Sequence, residues 1–114
     1  VDIESFRTYC LSKKASSEGF PFGPDVLIFK VGKKMFASLS MEPPPRCNLK
    51  CDPERALDLR AQYPAITGGY HQNKKHWNSM ALDQDLSVKL VKELIDHSYD
   101  LVVSNMTKAQ RESL

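Results

Sequence analysis

The stretch Asp25-Val26-Leu27-Ile28-Phe29-Lys30-Val31-Gly32-Lys33-Lys34-Met35-Phe36-Ala37-Ser38-Leu39-Ser40-Met41 decides the fold. Two apolar-rich runs flank Gly32-Lys33, a pair suited to a two-residue turn that needs positive φ at its first position. Residues 25–31 and 34–41 are therefore expected to form a β-hairpin. On its second strand Met35, Ala37, Leu39 and Met41 alternate with Lys34, Phe36, Ser38 and Ser40. The first set is wholly apolar and is expected to face the core. Glu42-Pro43-Pro44-Pro45 then ends the ladder, because proline has no N–H to donate.

Outward from the hairpin the pattern stays regular. Residues 46–51 alternate strictly, with Cys47, Leu49 and Cys51 on one side and Arg46, Asn48 and Lys50 on the other. A short strand with a polar, basic outer face is the economical reading. Asp52-Pro53-Glu54 opens a helix, with Asp as N-cap, Pro at the first position and an acid in the first turn. That helix runs through Leu59 and Tyr63 and stops before Pro64. Residues 65–75 read as loop around Gly68-Gly69, with room for one short strand within 65–70. Residues 77–82 read as a further strand, in which Trp77, Ser79 and Ala81 oppose Asn78, Met80 and Leu82. Asp85 or Ser87 caps the longest helix, whose apolar stripe includes Leu90, Val91, Leu94, Ile95, Leu101 and Val102. Thr107 and Gln110 offer a capping box for a short terminal helix. Toward the N-terminus, Asp2 caps a helix carrying Ile3, Phe6, Cys10 and Leu11. Two glycines and two prolines make residues 16–24 a loop.

The order α-β-β-β-α-β-α-α, with short connections between consecutive strands, predicts an α+β two-layer sandwich. An antiparallel sheet of four to five strands would carry helices on one face. At 114 residues, the chain is expected to be one domain spanning 1–114. Apolar residues at 41% and charged residues at 26% exclude intrinsic disorder. No apolar run approaches the roughly 18 residues of a membrane span, and residues 1–7 do not resemble a secretion signal. A cytoplasmic protein with no membrane partner is expected. Three cysteines, Cys10, Cys47 and Cys51, then default to reduced thiols.

Net charge is only +2, but it is unevenly placed. Residues 26–80 hold nine basic and four acidic side chains, while both ends of the chain are mildly acidic. A face built from the middle of the chain would be positive and suited to phosphate.

Three stretches of the sequence hold chemistry-bearing residue types. Cys47-x3-Cys51 with His71-x4-His76 superficially resembles a zinc set. On a strand, however, the two sulfurs stand about 13 Å apart at ~3.3 Å per residue, whereas one zinc needs them within about 4 Å. No metal and no cofactor are expected. Asp96-His97-Ser98-Tyr99-Asp100 holds the letters of a hydrolase triad. Helical neighbours point about 100° apart, so His97 and Ser98 cannot face each other, and a polar cluster tying the helix down is the simpler reading. The segment Tyr70-His71-Gln72-Asn73-Lys74-Lys75-His76-Trp77-Asn78 is richer. It combines stacking surfaces, phosphate-binding lysines and edge-reading amides, or else forms a polar lid over one end of the sheet.

Several motifs together resemble the MmcQ/YjbR family. They are Phe20-Pro21-Phe22-Gly23-Pro24-Asp25, Phe29-Lys30-Val31-Gly32, Lys34-Met35-Phe36-Ala37 and Asn48-Leu49-Lys50-Cys51-Asp52-Pro53-Glu54. Tyr63-Pro64-Ala65, Gly69-Tyr70-His71, Asn73-Lys74, His76-Trp77-Asn78 and Leu82-Asp83 follow in order. So does Ile95-Asp96-His97-Ser98-Tyr99-Asp100-Leu101-Val102. The resemblance implies a YjbR-like two-layer α+β fold, similar in architecture to type III secretion chaperones. It also implies a DNA-binding label that rests on likeness to a double-winged phage transcription-factor domain. It brings no catalytic residues.

Two functional expectations follow, both non-enzymatic. In the first, DNA lies on the sheet face and adjoining loops, held by Lys33, Lys34, Arg46, Lys50, Lys74 and Lys75 with Asn48 as a polar contact. In the second, a protein or small ligand occupies a pocket formed by the 20–22 and 70–78 segments. Its candidate residues are Phe22, His71, Asn73, His76, Trp77, Asn78, Asp96, His97 and Tyr99.

Overall fold

The computed structural model describes residues 1–69 and 72–114. Among the described residues, four helices and six strands follow one another along the chain. They are α1 (Ile3–Leu11), β1 (Ser16–Gly19), β2 (Val26–Val31), β3 (Lys34–Ser40), β4 (Arg46–Lys50) and α2 (Pro53–Gln62). Then come β5 (Ile66–Gly68), β6 (Trp77–Ala81), α3 (Val88–Ser104) and α4 (Lys108–Glu112). The strands form one antiparallel sheet in the order β1-β2-β3-β4-β6-β5. This is the α+β sandwich expected from the sequence, with six strands in place of four to five.

The caps follow the sequence signals. The Asp2, Asp52, Ser87 and Thr107 side chains accept from the backbone N–H groups of Ser5, Arg55, Leu90 and Gln110. Thr107 and Gln110 close a full capping box. Helices α1, α2 and α3 send Phe6, Cys10, Ala56, Leu59, Val91, Leu94, Ile95 and Val102 into one core. There they meet Leu27, Phe29, Val31, Leu39, Cys47, Leu49 and Met80 from the sheet. Each large side chain buried this way contributes roughly 1.5–3 kcal/mol before chain entropy is counted. One face of the sheet is thus covered by helices. The other carries no helix among the described residues.

Two expectations are corrected. Residues 16–19 are an edge strand, not loop: Ser16 to Gly19 pair with Val31 to Ile28. Turn-forming composition does not prevent pairing at an edge, where one side of the strand needs no partner. A charge pair adds to the ladder, since the Arg7 guanidinium holds Glu18 with two N–H donors from Nε and Nη2. Loop is confined to residues 20–24. The short strand allowed within 65–70 is β5.

The second correction concerns β3. Phe29 pairs with Ala37 but Lys30 pairs with Met35, so Phe36 is the extra residue of a β-bulge. The bulge shifts the alternation by one position. Met35, expected in the core, points to the open face, and Phe36 turns inward to full burial. Its ring lies 6.5 Å from Phe29 and meets Tyr99 edge-on at 5.4 Å. The bulge also interrupts the β3–β4 ladder, which ends at Ala37–Leu49. The next pair would be Phe36 with Lys50, and there the Ser98 hydroxyl of α3 is inserted. It accepts from Lys50 N–H at 2.9 Å and donates to the Phe36 carbonyl at 2.5 Å.

A groove on the open sheet face

The register places side chains of the open face in rows. Val26, Ser40 and Arg46 form one row, and Ile28, Ser38 and Asn48 the next; Lys30 and Met35 form the third. Above these rows the 20–24 loop, Pro44 and Gln72 rise as walls and enclose a groove of about 730 Å³. Pro21, Phe22, Val26, Ile28, Met35 and Pro44 supply its apolar lining; Lys30, Ser38, Ser40, Arg46, Asn48 and Gln72 supply the polar one. Ile28 and Ser38, each 4% exposed, lie deepest. Phe22 at the rim is 81% exposed. A smaller hollow, lined by Ser17, Glu18, Gly19 and Phe20, adjoins it and shares Pro21, Ile28 and Lys30.

The floor is hydrogen-bonded across three strands. The Ser79 hydroxyl donates to Asn48 Oδ1, and Asn48 Nδ2 donates to Ser38 Oγ at 3.2 Å, a polar row across β6, β4 and β3. Asn48, expected as a nucleic-acid contact, therefore has its amide held within the sheet.

The basic candidates separate. Arg46 lines the groove, and Lys50 shares its face through the alternation of β4. Lys33 and Lys34 instead border a different hollow, against Met106, Ala109, Gln110, Ser113 and Leu114 at the C-terminal end. The Lys74 side chain packs over Gly68, and its carbonyl accepts from Arg60 Nη2. Lys75 donates its backbone N–H to Asn73 Oδ1 at 2.8 Å. Lys30, which is not among the expected site residues, lines the groove from the third row.

The expected recognition pocket separates too. Phe22 lines the groove, whereas His71 lies outside the described residues. Asn73 closes a turn, its carbonyl accepting from the N–H groups of His76 and Trp77 at 3.2 and 2.9 Å. Asn78 faces the helices: its Oδ1 accepts from Arg60 Nε at 2.7 Å, and its Nδ2 donates to the Ala56 carbonyl at 3.4 Å. Trp77 pairs with Lys50 at the far end of the open face. Gly69 is required beside it, because a Cβ there would stand 2.8 Å from that of Trp77.

Asp96, His97 and Tyr99 belong to the helical layer. Asp96 accepts from Tyr9 Oη at 2.7 Å and from Lys13 Nζ, joining α3 to the end of α1. Burial raises its carboxyl pKa, but the Lys13 and Tyr9 hydrogen bonds outweigh that and hold it below the usual value. Lys13 is correspondingly raised, with Asp96 outweighing burial. His97 Nε2 accepts from the Asp52 N–H at 3.1 Å. Burial and then the nearby Arg55 lower its pKa, against the opposing pull of Asp52 and Asp100. Tyr99 Oη donates to the Lys14 carbonyl at 2.5 Å. These groups fasten helices rather than line a cleft.

All three cysteines are unpaired and buried. Burial raises each thiol, Cys47 to about 12. Among the described residues no three His, Cys, Asp or Glu side chains converge as a metal set.

The YjbR family model matches residues 11–101, which include the hairpin, the groove floor and most of α3. The chain belongs to the YjbR family. Among its relatives, the Escherichia coli O157:H7 uncharacterized protein YbdF is 40% identical over 94 residues, 82% of this chain and 77% of YbdF. The uncharacterized protein YjbR of Escherichia coli K12 is 29% identical over 115 residues, covering 100% of this chain and 98% of its own. Among solved structures, Deinococcus radiodurans protein DR2400 is 40% identical with a TM-score of 0.91, covering 97% of this chain and 86% of that one. A Pseudomonas syringae protein is 27% identical with a TM-score of 0.79, covering 89% of this chain and 98% of that one. The chain shares its fold with these two solved structures.

The groove residues missed by sequence reasoning had one legible signal. Val26 and Ile28 oppose Leu27, Phe29 and Val31 on β2, so that strand is apolar on both faces. A strand at a sheet whose second face is uncovered exposes such residues, or lines a pocket with them.

Proposed function

We propose that this member of the YjbR family is a non-enzymatic cytoplasmic binding protein that takes a small ligand in the groove of its open sheet face. The carrying observation is the groove itself. Its roughly 730 Å³ lies within the 300–1,000 Å³ typical of small-molecule sites, and its mixed lining matches theirs. Binding without catalysis is supported by how the candidate reactive groups are engaged. The thiols are buried and raised, His97 accepts a backbone hydrogen bond, and Asp96 is held by Lys13 and Tyr9. Three unpaired thiols suit a reducing compartment. No helix is long and apolar enough to cross a membrane among the described residues.

The DNA reading has weaker support. Arg46 and Lys50 share the open face, but Lys33 and Lys34 border the C-terminal hollow. Duplex affinity grows with the number of phosphates neutralised together, so a dispersed set of lysines contributes little.

The test is a fragment screen on the ¹⁵N-labelled protein, run beside an anisotropy titration of labelled duplex DNA. The expected result is that hits shift the amides of Val26, Ile28, Met35 and Ser40, and that Ile28→Glu abolishes them. Hits confined to the helical layer would refute the proposal. Salt-sensitive duplex binding lost in an Arg46→Glu/Lys50→Glu variant would restore the DNA reading in its place.

A further inference from the structure

Resting on that binding reading, we infer that the groove's ligand is a small amphipathic organic anion, its negative group on Arg46 and its apolar body along Ile28 toward Met35. The first observation is the charge balance of the lining. Among the described residues, Lys30 and Arg46 are its ionisable members, and neither is acidic. A neutral ligand would not use that bias, and a cation would be opposed by it.

The second observation is where the charges stand. Arg46 begins the row Val26–Ser40–Arg46, so the Ser40 hydroxyl lies directly across from it on β3. A planar guanidinium beside a hydroxyl suits a carboxylate, sulfonate or phosphate oxygen pair. Lys30 stands two rows away, about 13 Å along the strand at ~3.3 Å per residue, and it is exposed. Charges so placed cannot grip one small head group together. Half-buried Arg46 is screened less by water than Lys30 and is the anchor. Between the two rows lies Ile28, with the exposed Phe22 ring at the rim. An apolar body lying over Ile28 removes the Phe22 ring and half-buried Met35 from water. A head group at one end and an apolar span beside it define an amphipathic anion.

A matched pair of fluorescent probes tests this: anilinonaphthalene sulfonate, and phenylnaphthylamine, which has the same ring system without the charge. Both are titrated into the intact protein, with amide shifts at Ile28 and Ser40 locating the site. The sulfonate is expected to bind roughly tenfold or more tightly than the neutral probe, as a charge-assisted hydrogen bond provides. Arg46→Gln should remove most of that preference while leaving neutral-probe affinity in place, which also reports that the groove is still folded. Arg46→Lys should retain part of it, and Lys30→Gln should change it little. Equal binding of the two probes would overturn the anionic ligand and leave the groove reading standing. If neither probe shifts the groove amides, the groove reading fails and this inference falls with it.

Discussion

Ser98→Ala removes one hydroxyl that is fully buried where α3 crosses the interrupted β3–β4 ladder. In the native chain this group accepts from Lys50 N–H at 2.9 Å and donates to the Phe36 carbonyl at 2.5 Å. The bulge at Phe36 prevents those two backbone groups from meeting in register. Truncation therefore leaves a donor and an acceptor without their partner. A buried orphan costs about 1–3 kcal/mol, and alanine adds no bulk to strain the site. Two such orphans sum to about 2–6 kcal/mol, and because local relaxation holds single-residue losses to the lower part of such ranges the expected destabilisation is about 2–4 kcal/mol. With a urea m-value of roughly 1.5 kcal/mol/M, the denaturation midpoint should fall by roughly 1.3–2.7 M. The assay is equilibrium urea unfolding followed by far-UV circular dichroism and Trp77 fluorescence, whose transitions should coincide with an unchanged m. A midpoint shift below about 0.3 M would show that Lys50 and Phe36 pair directly once the hydroxyl is gone. The inserted-serine account of the bulge would then be wrong.

Three further predictions concern titration and reactivity. Asp96 has a folded-state pKa below its ordinary 3.8, so the unfolded chain binds the proton more readily and stability is lost as pH falls below that value. Asp96→Asn should lower stability by under about 1 kcal/mol at neutral pH. It should also shrink the loss between neutral and acid solution, as read from urea midpoints; an unchanged acid slope would contradict the Lys13–Asp96–Tyr9 link. His97 has a folded pKa pushed below 6.5 by burial and Arg55, so stability is present above 6.5 and falls as pH is lowered through the folded value. An imidazole titration by NMR should show that depressed midpoint. His97→Gln should flatten the corresponding segment of the stability curve, and a midpoint above 6.5 would count against the Asp52 hydrogen bond. Burial of Cys10, Cys47 and Cys51 predicts slow reaction with Ellman's reagent in the native state and full reaction in denaturant. A rapid native reaction at any one of them would show that the helical layer opens locally.

Much of the framework was legible because it is written in short-range chemistry. Gly32 adopts φ +59 in the hairpin turn. Asp52-Pro53 starts α2 at the expected residue. Cys47 and Leu49 alternate with Arg46, Asn48 and Lys50 across β4 as read. The edge strand β1 was hidden because its pairing depends on β2, whereas its own residues carry turn signals. Met35 and Phe36 exchanged faces because a bulge changes the phase of every side chain on one side of it, and no local residue announces that. At the site, Phe22 and Arg46 were identified as candidates, yet for two separate surfaces; the 20–24 loop folds back over the sheet and joins them.

Alone, then, the order of elements, their caps and turns, and the basic outer face of β4 were determined by sequence, because each depends on neighbours a few residues away. Family membership belongs with them, since it too is carried by motifs in order. The tertiary structure decided which polar groups are committed to holding the fold together. Asp96, His97, Tyr99, Asn73 and Asn78 look like chemistry in the sequence but are engaged in fastening helices and a turn. Val26, Ile28 and Met35 look like core but line an uncovered face. Burial and hydrogen bonding are set by residues distant along the chain, so only the packed arrangement separates a structural polar group from a binding one.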